Sequence, residues 1–287
     1  MNNANLLLNL SQIKSLKVKL FLTITCICLT MLNISNAQSL FLLAGQSNAC
    51  GMGDSAKSNL NHSDNAFEYD VLLNEIKPLK DPVGQIWENL EKAKRGSISP
   101  AFSKAYADIS HQKVIMLTAA RGGSSCCIKA DMNNYGTWDT SGHLLLLPVA
   151  VKKAKMAIAK TGLPLKGIIW VQGERDANAI NDNKQTKEEF KEALKSVITR
   201  FRASLGDNIP FFIVKTGYQT DRPQAGNDAV RAMQDEVAKE LKNVYVVYND
   251  TNLFIEKKWM HDKVHYNQSG LDDIGTTIAQ KIYSITK

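Results

Sequence analysis

The sequence predicts an α/β fold: an open, doubly wound parallel sheet of five strands with helices on both faces. Three observations predict it. Five short runs rich in apolar and β-branched residues recur along the chain, "SLFLLA" from Ser39, "KVIMLT" from Lys113, "KGIIWV" from Lys166, "IPFFIV" from Ile209 and "NVYVVY" from Asn243. They are nearly continuous in apolar character rather than alternating, which suits strands covered on both faces. Helical patterns lie between them, and strand then helix, repeated, builds a parallel sheet.

Taken in order, residues 1–37 read as a targeting segment. Lys14, Lys17 and Lys19 precede an apolar run from Leu20 to Ile34, and Ser35-Asn36-Ala37 supplies the small residues of a cleavage site after Ala37. The rival reading, a membrane anchor, needs about 20 apolar residues, more than this run holds. The expectation is a secreted or periplasmic protein with a single domain over 38–287 and no stable membrane span.

The first strand breaks into "GQSNACGMG". From Gly53 to Ser99 runs a long irregular stretch containing "PLKDPVGQIWENLEKAKRGSIS". A loop of that length in a compact domain is functional, as a lid would be, or disordered; Phe67, Ile86 and Trp87 give it something to bury. "SPAFSKAYADIS" then starts with a Ser cap and a Pro at the first helical position. "LLPVAVKKAKMAIAKTG" ends on glycine, and "TKEEFKEALKSVITRFRASLG" opens with Thr-x-x-Glu in capping-box register and stops at Gly206. "NDAVRAMQDEVAKEL" and "SGLDDIGTTIAQKIYSI" complete the helices.

Composition narrows the function. With 287 residues, 44% hydrophobic and 22% charged, the chain can bury one sizeable core. The formal charge of +7 falls to +4 once the three leader lysines are removed. The rest is scattered over amphipathic stretches with no aromatic-interleaved basic block, so nucleic acid is not an expected partner. Cys26 and Cys28 lie in the leader, leaving Cys50, Cys126 and Cys127, an odd number without the paired spacing of a zinc site. Cys50 either pairs with Cys126 or Cys127, because both segments follow strands and meet at one sheet end, or all three are free buried thiols.

In an open α/β sheet, ligands gather at the carboxyl edge of the strands. The loops there carry Gly45-Gln46-Ser47-Asn48, Arg121-Gly122-Gly123-Ser124 and Gln172-Gly173-Glu174-Arg175-Asp176, and "HDKVHYNQSG" brings Asp262 and His265 just before the last helix. A serine hydroxyl becomes a nucleophile when a base takes its proton and a carboxylate orients that base. Ser47, His265 and Asp262 supply the three groups. Donors for the oxyanion are available from the Ser47 N–H, a glycine of the second loop and the Gln172 amide. The competing readings are a structural His265 capping the last helix and glycines that merely form turns. Neither a P-loop nor a dinucleotide fingerprint is present.

"GQSNACGMG", "ARGGSS", "WVQGERDA" and "DKVHYNQSG" together resemble the sequence blocks of the SGNH-hydrolase superfamily. Within it they are similar to the sialate O-acetylesterase-like and carbohydrate esterase family 6 (acetylxylan esterase-like) branch, where a Gln-Gly-Glu motif replaces the usual fourth-block asparagine. "PLKDPVG" and "GSISPAF" resemble that branch too, so the likeness covers nearly all of the mature chain. It implies a three-layer αβα sandwich with a flavodoxin-like sheet. It implies Ser47 as nucleophile, His265 as base, Asp262 as its acid partner, and Ser47, Gly122 and Gln172 around the oxyanion, with Gly122 chosen over Gly123 by alignment. Glu174 is the alternative acid partner, or else a structural carboxylate pairing Arg121 or Arg175. Two positions depart from the family pattern: Val171 stands where His-Gln-Gly-Glu has its histidine, and Arg175 replaces a small polar residue, both flanking the acyl pocket.

The activity implied is that of a serine esterase removing O-acetyl groups from carbohydrate, either acetylxylan or acetylated sialic acid, with no metal or organic cofactor. A short-chain or lipase-like esterase of the same superfamily and a non-catalytic carbohydrate-binding module are the alternatives. Tyr135 and Trp138, after the second strand, either stack on a sugar ring or close a hydrophobic rim.

Overall fold

The computed structural model describes residues 37–287; the expected leader, with Cys26 and Cys28, lies outside the described residues. Seven strands form one sheet: β1 (Gln38–Gly45), β2 (Ala66–Asp70), β3 (Glu75–Pro78), β4 (Lys113–Ala120), β5 (Leu165–Val171), β6 (Phe211–Val214) and β7 (Val244–Tyr248). Their order is β3-β2-β4-β1-β5-β6-β7. Five of them are the strands expected from the sequence, and all five run parallel.

The other two correct the five-stranded expectation, and they come from the stretch after Gly53. β2 runs parallel to β4, and β3 closes that edge antiparallel to β2. Neither is an apolar run. β2 carries Glu68 and Asp70, buried acids that Lys77 of β3 reaches at 3.1 and 2.7 Å. Pro78 sits at the end of an edge strand, where a missing N–H is tolerated. Nor is the remainder of the stretch a free lid. Asp81 accepts hydrogen bonds from the N–H groups of Val83 and Ser97, the Glu91 N–H donates to the Ala120 carbonyl, and Val83, Leu90 and Ala93 are buried.

Among the described residues eight α-helices accompany the sheet: α1 (Ser47–Cys50), α2 (Ser55–Ser58), α3 (Ser99–Ser110), α4 (Leu147–Thr161), α5 (Glu174–Asn181), α6 (Lys187–Leu205), α7 (Ala225–Glu240) and α8 (Gln268–Thr286). Successive side chains of a strand point to opposite faces, and β1 divides accordingly. Leu40, Leu42 and Ala44 enter a core with Ala150 of α4, Leu194 of α6 and Val230 of α7. Phe41 and Leu43 enter another with Phe102 of α3 and Ile274 of α8. There Phe41 meets the rings of Phe102 and Tyr106 edge-on at 5.1 and 4.9 Å. Burial on both faces explains why β1 reads as a continuous apolar run.

The capping box of α6 forms as its sequence predicts: Thr186 Oγ1 accepts from the Glu189 N–H, and Glu189 Oε2 accepts from the Thr186 N–H. The start of α3 differs. Its Ser99 is already helical and its N–H donates to Ser97 Oγ, so the capping hydroxyl lies two residues upstream. Cys50, Cys126 and Cys127 are buried free thiols. Cys50 packs in the core with α3 and α8 while Cys126 packs in the opposite one, so the sheet separates these two thiols. Among the described residues no helix is long and apolar enough to cross a membrane.

Candidate active site

β1 lies between β4 and β5, and its carboxyl end delivers Ser47. Gly45 sits at φ 143°, and a Cβ there would stand 2.0 Å from the Val171 carbonyl oxygen, so only glycine lets the chain turn this close to β5. Gln46 follows, its N–H donating to the same carbonyl and its own carbonyl accepting from the Ala49 and Cys50 N–H groups. Ser47 therefore opens the short turn α1, where a first-turn N–H has no intrahelical acceptor. The serine is 6% exposed. It faces a cleft of ≈ 340 Å³ that it shares with His265, Gly122, Tyr135 and Glu174.

His265 and Asp262 meet as their spacing suggests. His265 Nδ1 lies 2.7 Å from Asp262 Oδ2, while Asp262 Oδ1 accepts from the N–H groups of Val264 and His265 at 2.9 and 2.8 Å. Partial burial pushes the Asp262 carboxyl up, but the His265 ring and those two N–H groups outweigh it and hold it down at about 2. An ionised carboxylate accepts, so Nδ1 carries the proton of this bond and Nε2 is the nitrogen that remains to exchange one. Among the described residues no hydrogen bond joins Ser47 Oγ to His265; such contacts often close only when substrate binds.

Glu174 does not bond the His265 ring. Its Oε1 accepts from Asn48 Nδ2 at 2.8 Å and from the Tyr266 hydroxyl at 3.4 Å, and among the described residues Oε2 has no partner. Burial pushes this carboxyl up, against the pull of its own N–H, Asn48, His265 and Tyr266. The expected pairing with Arg121 or Arg175 is absent: Arg121 donates to the carbonyls of Asn89 and Asn134, and Arg175 Nε to that of Ala130. Instead Glu174 anchors Asn48, the residue beside the serine. Asn48 also donates to the Val264 carbonyl at 3.5 Å and accepts from the Tyr266 N–H at 3.2 Å. One buried amide thus ties the serine turn to the chain on both sides of His265. Asn48 carries no sequence signal beyond its place next to Ser47.

The oxyanion donors expected from the sequence are distributed differently. Gln172 is 1% exposed and its amide donates to Asp176 Oδ2 and the Ser124 carbonyl, inside the protein rather than into the cleft. Asp176 collects further donors from the Cys126 and Cys127 N–H groups and from Gln185, so the acid two residues beyond Glu174 holds Gln172 against the second loop. The Gly122 N–H does reach the site, where it meets Glu91 Oε2 at 2.9 Å. Gln46, by contrast, lines the cleft with its Oε1 fixed by the Gly173 and Arg175 N–H groups, both at 3.3 Å. No sequence signal marks Glu91, which lies within the irregular stretch.

Of the two aromatic candidates, only Tyr135 borders the cleft; it is 46% exposed and its ring covers Gly123, where a Cβ would come within 2.5 Å of it. Trp138 is fully buried, edge-on to Trp170 at 5.0 Å with Nε1 donating to Ser124 Oγ, so it has no face to offer a sugar. Lys92, Lys94 and Arg175 complete the cleft walls. Among the described residues no group of three or more His, Cys, Asp or Glu side chains is arranged to hold a metal ion.

Comparison with solved structures gives the same architecture. A protein from Arabidopsis thaliana aligns with a TM-score of 0.68 at 21% identity, covering 88% of this chain and 100% of its own. NanS aligns at 0.62 and 14% identity, over 88% of this chain and 98% of its own. A carbohydrate acetylesterase from Xanthomonas citri aligns at 0.55 and 16% identity, over 86% of this chain and 56% of its own. No curated protein matches the sequence. The family described as carbohydrate esterase, sialic acid-specific acetylesterase matches residues 37–284, which takes in all seven strands and every loop of the cleft. The chain belongs to this family of carbohydrate esterases.

Proposed function

We propose that the protein is a serine esterase that removes O-acetyl groups from carbohydrate, working outside the cytoplasm after cleavage behind Ala37. The observation that carries this reading is the hydrogen-bonded His265–Asp262 pair opening onto the same cleft as Ser47. In the reaction, Ser47 Oγ attacks the acetyl carbonyl carbon as His265 Nε2 takes its proton, and Asp262 balances the imidazolium that forms. The oxyanion is held by the Ser47 and Gly122 N–H groups. Collapse of the tetrahedral intermediate breaks the bond to the sugar oxygen, which receives the proton from His265. Water, deprotonated by the same base, then releases acetate from Ser47. The Gln172 amide, engaged by Asp176, serves as a support of the second loop in this scheme.

The cleft walls favour an acidic sugar. Lys92, Lys94 and Arg175 outnumber the acids that water can reach there, because Glu174 is buried. A carboxylate-bearing substrate such as O-acetylated sialic acid gains from this charge, whereas acetylated xylan does not. The test is acetate release from O-acetyl sialic acid, acetylated xylan and a p-nitrophenyl ester series of increasing acyl length. The expected result is a preference for the acidic sugar that weakens as salt is added, and for acetyl over longer acyl groups. A preference for xylan would overturn the acidic-sugar reading, a preference for long acyl chains would favour a lipase-like activity, and no release from any substrate would favour a binding module.

A further inference from the structure

The Gly122 N–H, one of the two backbone donors assigned to the oxyanion, already has an acceptor. Glu91 Oε2 takes it at 2.9 Å. The same oxygen lies 3.2 Å from the point where a Cβ on Gly122 would stand, and the Ser47 Cβ lies 3.9 Å from that point. Carboxylate and nucleophile thus flank one glycine. The Glu91 backbone is fixed by its bond to Ala120, but its side chain is 36% exposed, and its other oxygen makes a long ion pair with Arg121 Nη1 at 3.9 Å, too far for a hydrogen bond. Arg121 is committed elsewhere, to the carbonyls of Asn89 and Asn134. Gly122 is therefore the only hydrogen-bond donor holding the carboxylate among the described residues.

We propose that Glu91 is an internal competitor for the oxyanion site: its carboxylate occupies the Gly122 N–H in the resting protein, and an ester binds productively only when Glu91 gives up that donor. The inference rests on the esterase reading above, with Gly122 as an oxyanion donor. A backbone N–H has one hydrogen to offer. A carboxylate holds it more strongly than a neutral ester carbonyl does, because charge-assisted hydrogen bonds are the stronger kind. The tetrahedral intermediate is itself anionic, so a carboxylate left at the same donor would also repel the charge that the site must stabilise. Lys92 and Lys94, on the walls of the same cleft, give the displaced carboxylate a favourable field once it swings away. Glu91 then sets a preference: substrates with hydroxyl groups that can draw the carboxylate off Gly122 gain over plain esters that have none.

The test uses methyl p-nitrophenyl methylphosphonate, a neutral diester that carries no such hydroxyl. Its phosphorus takes the Ser47 oxygen, p-nitrophenolate leaves, and the serine proton passes to His265, while the phosphoryl oxygen requires the oxyanion donors. Both Glu91→Ala and Glu91→Gln are expected to speed this labelling. Alanine leaves Gly122 free and should raise the rate about tenfold, whereas the glutamine amide oxygen still accepts, without charge, and should raise it about threefold. Melting temperatures close to wild type would confirm that both variants fold. Wild-type protein labelled at Ser47, with both variants labelled at the same rate or more slowly, would overturn the Glu91 inference while leaving the esterase reading intact. Wild-type protein that is neither labelled nor able to hydrolyse any ester would overturn both.

Discussion

Replacing Asp262 by Asn separates the two tasks of its carboxylate. Oδ1 shapes the turn by accepting from the Val264 and His265 N–H groups, and Oδ2 accepts from the His265 ring. Asparagine keeps an oxygen for the turn but presents an amide N–H₂ group to the ring. The ring proton then faces another donor, which favours the tautomer with its proton on Nε2, the atom that must receive the Ser47 proton. A hydrogen bond to a charged group is worth about 1.5–3 kcal/mol, and the imidazolium also loses its counter-charge. The Asp262 side chain is 46% exposed, so water screens part of that second effect. Together these amount to about 3–4 kcal/mol in the barrier, a fall in kcat of about 10²–10³-fold with little change in KM. Steady-state acetate release by wild type, Asp262→Asn and Glu174→Gln measures it, with melting temperatures to confirm folding. Glu174→Gln keeps an acceptor for Asn48 and should lose less than about tenfold, the scale of one weakened hydrogen bond. If Asp262→Asn stayed close to wild type while Glu174→Gln collapsed, the orienting role would belong to Glu174.

Further outcomes follow from buried groups. Asn48→Ala removes the amide tying Ser47 to both sides of His265 and leaves Glu174 Oε1 with only the longer bond from the Tyr266 hydroxyl; it should lower stability by about 2–4 kcal/mol and kcat by at least about tenfold, read from urea unfolding and turnover. Trp138→Ala should cost about 3–5 kcal/mol of stability without raising KM, whereas Tyr135→Ala should raise KM and leave stability nearly unchanged; the reverse pattern would contradict their placement. Lys153 is fully buried and, among the described residues, donates only to the Thr118 carbonyl; burial pulls its pKa from 10.5 down to about 8, against Glu68 and Asp70. The unfolded chain therefore binds more protons between those values, and stability rises with pH across that window. The penalty at neutral pH is about 3 kcal/mol, so Lys153→Met should gain about 2 kcal/mol there after losing its hydrogen bond. It should also abolish that share of the alkaline rise in urea unfolding.

The five parallel strands were legible because burial on both faces leaves nothing but apolar residues to write, as β1 shows with Leu40, Phe41, Leu42 and Leu43. β2 and β3 were not, because their stability passes through Lys77 and its two acids, a tertiary arrangement that resembles a polar loop in one dimension. At the site, residues placed by strand ends were legible: Ser47 follows β1, and Asp262 and His265 precede α8. Side-chain direction was not. Gln172 stands where an oxyanion donor was expected, yet Asp176 turns its amide inward. Trp138 and Tyr135 lie three apart in one loop, and only packing against Trp170 decides which of them is buried. Glu91 reaches Gly122 from a segment that carries no motif at all.

In the reaction proposed here, Ser47 carries the acetyl group between sugar and water. A rapid acid quench during turnover of an O-acetylated sugar, followed by mass mapping of peptides, would trap that intermediate. Wild-type protein should carry an acetyl group on the peptide containing Ser47, and Ser47→Ala should show neither that adduct nor acetate release. Undiminished acetate release by Ser47→Ala, or an acetyl group trapped on a different residue, would contradict it.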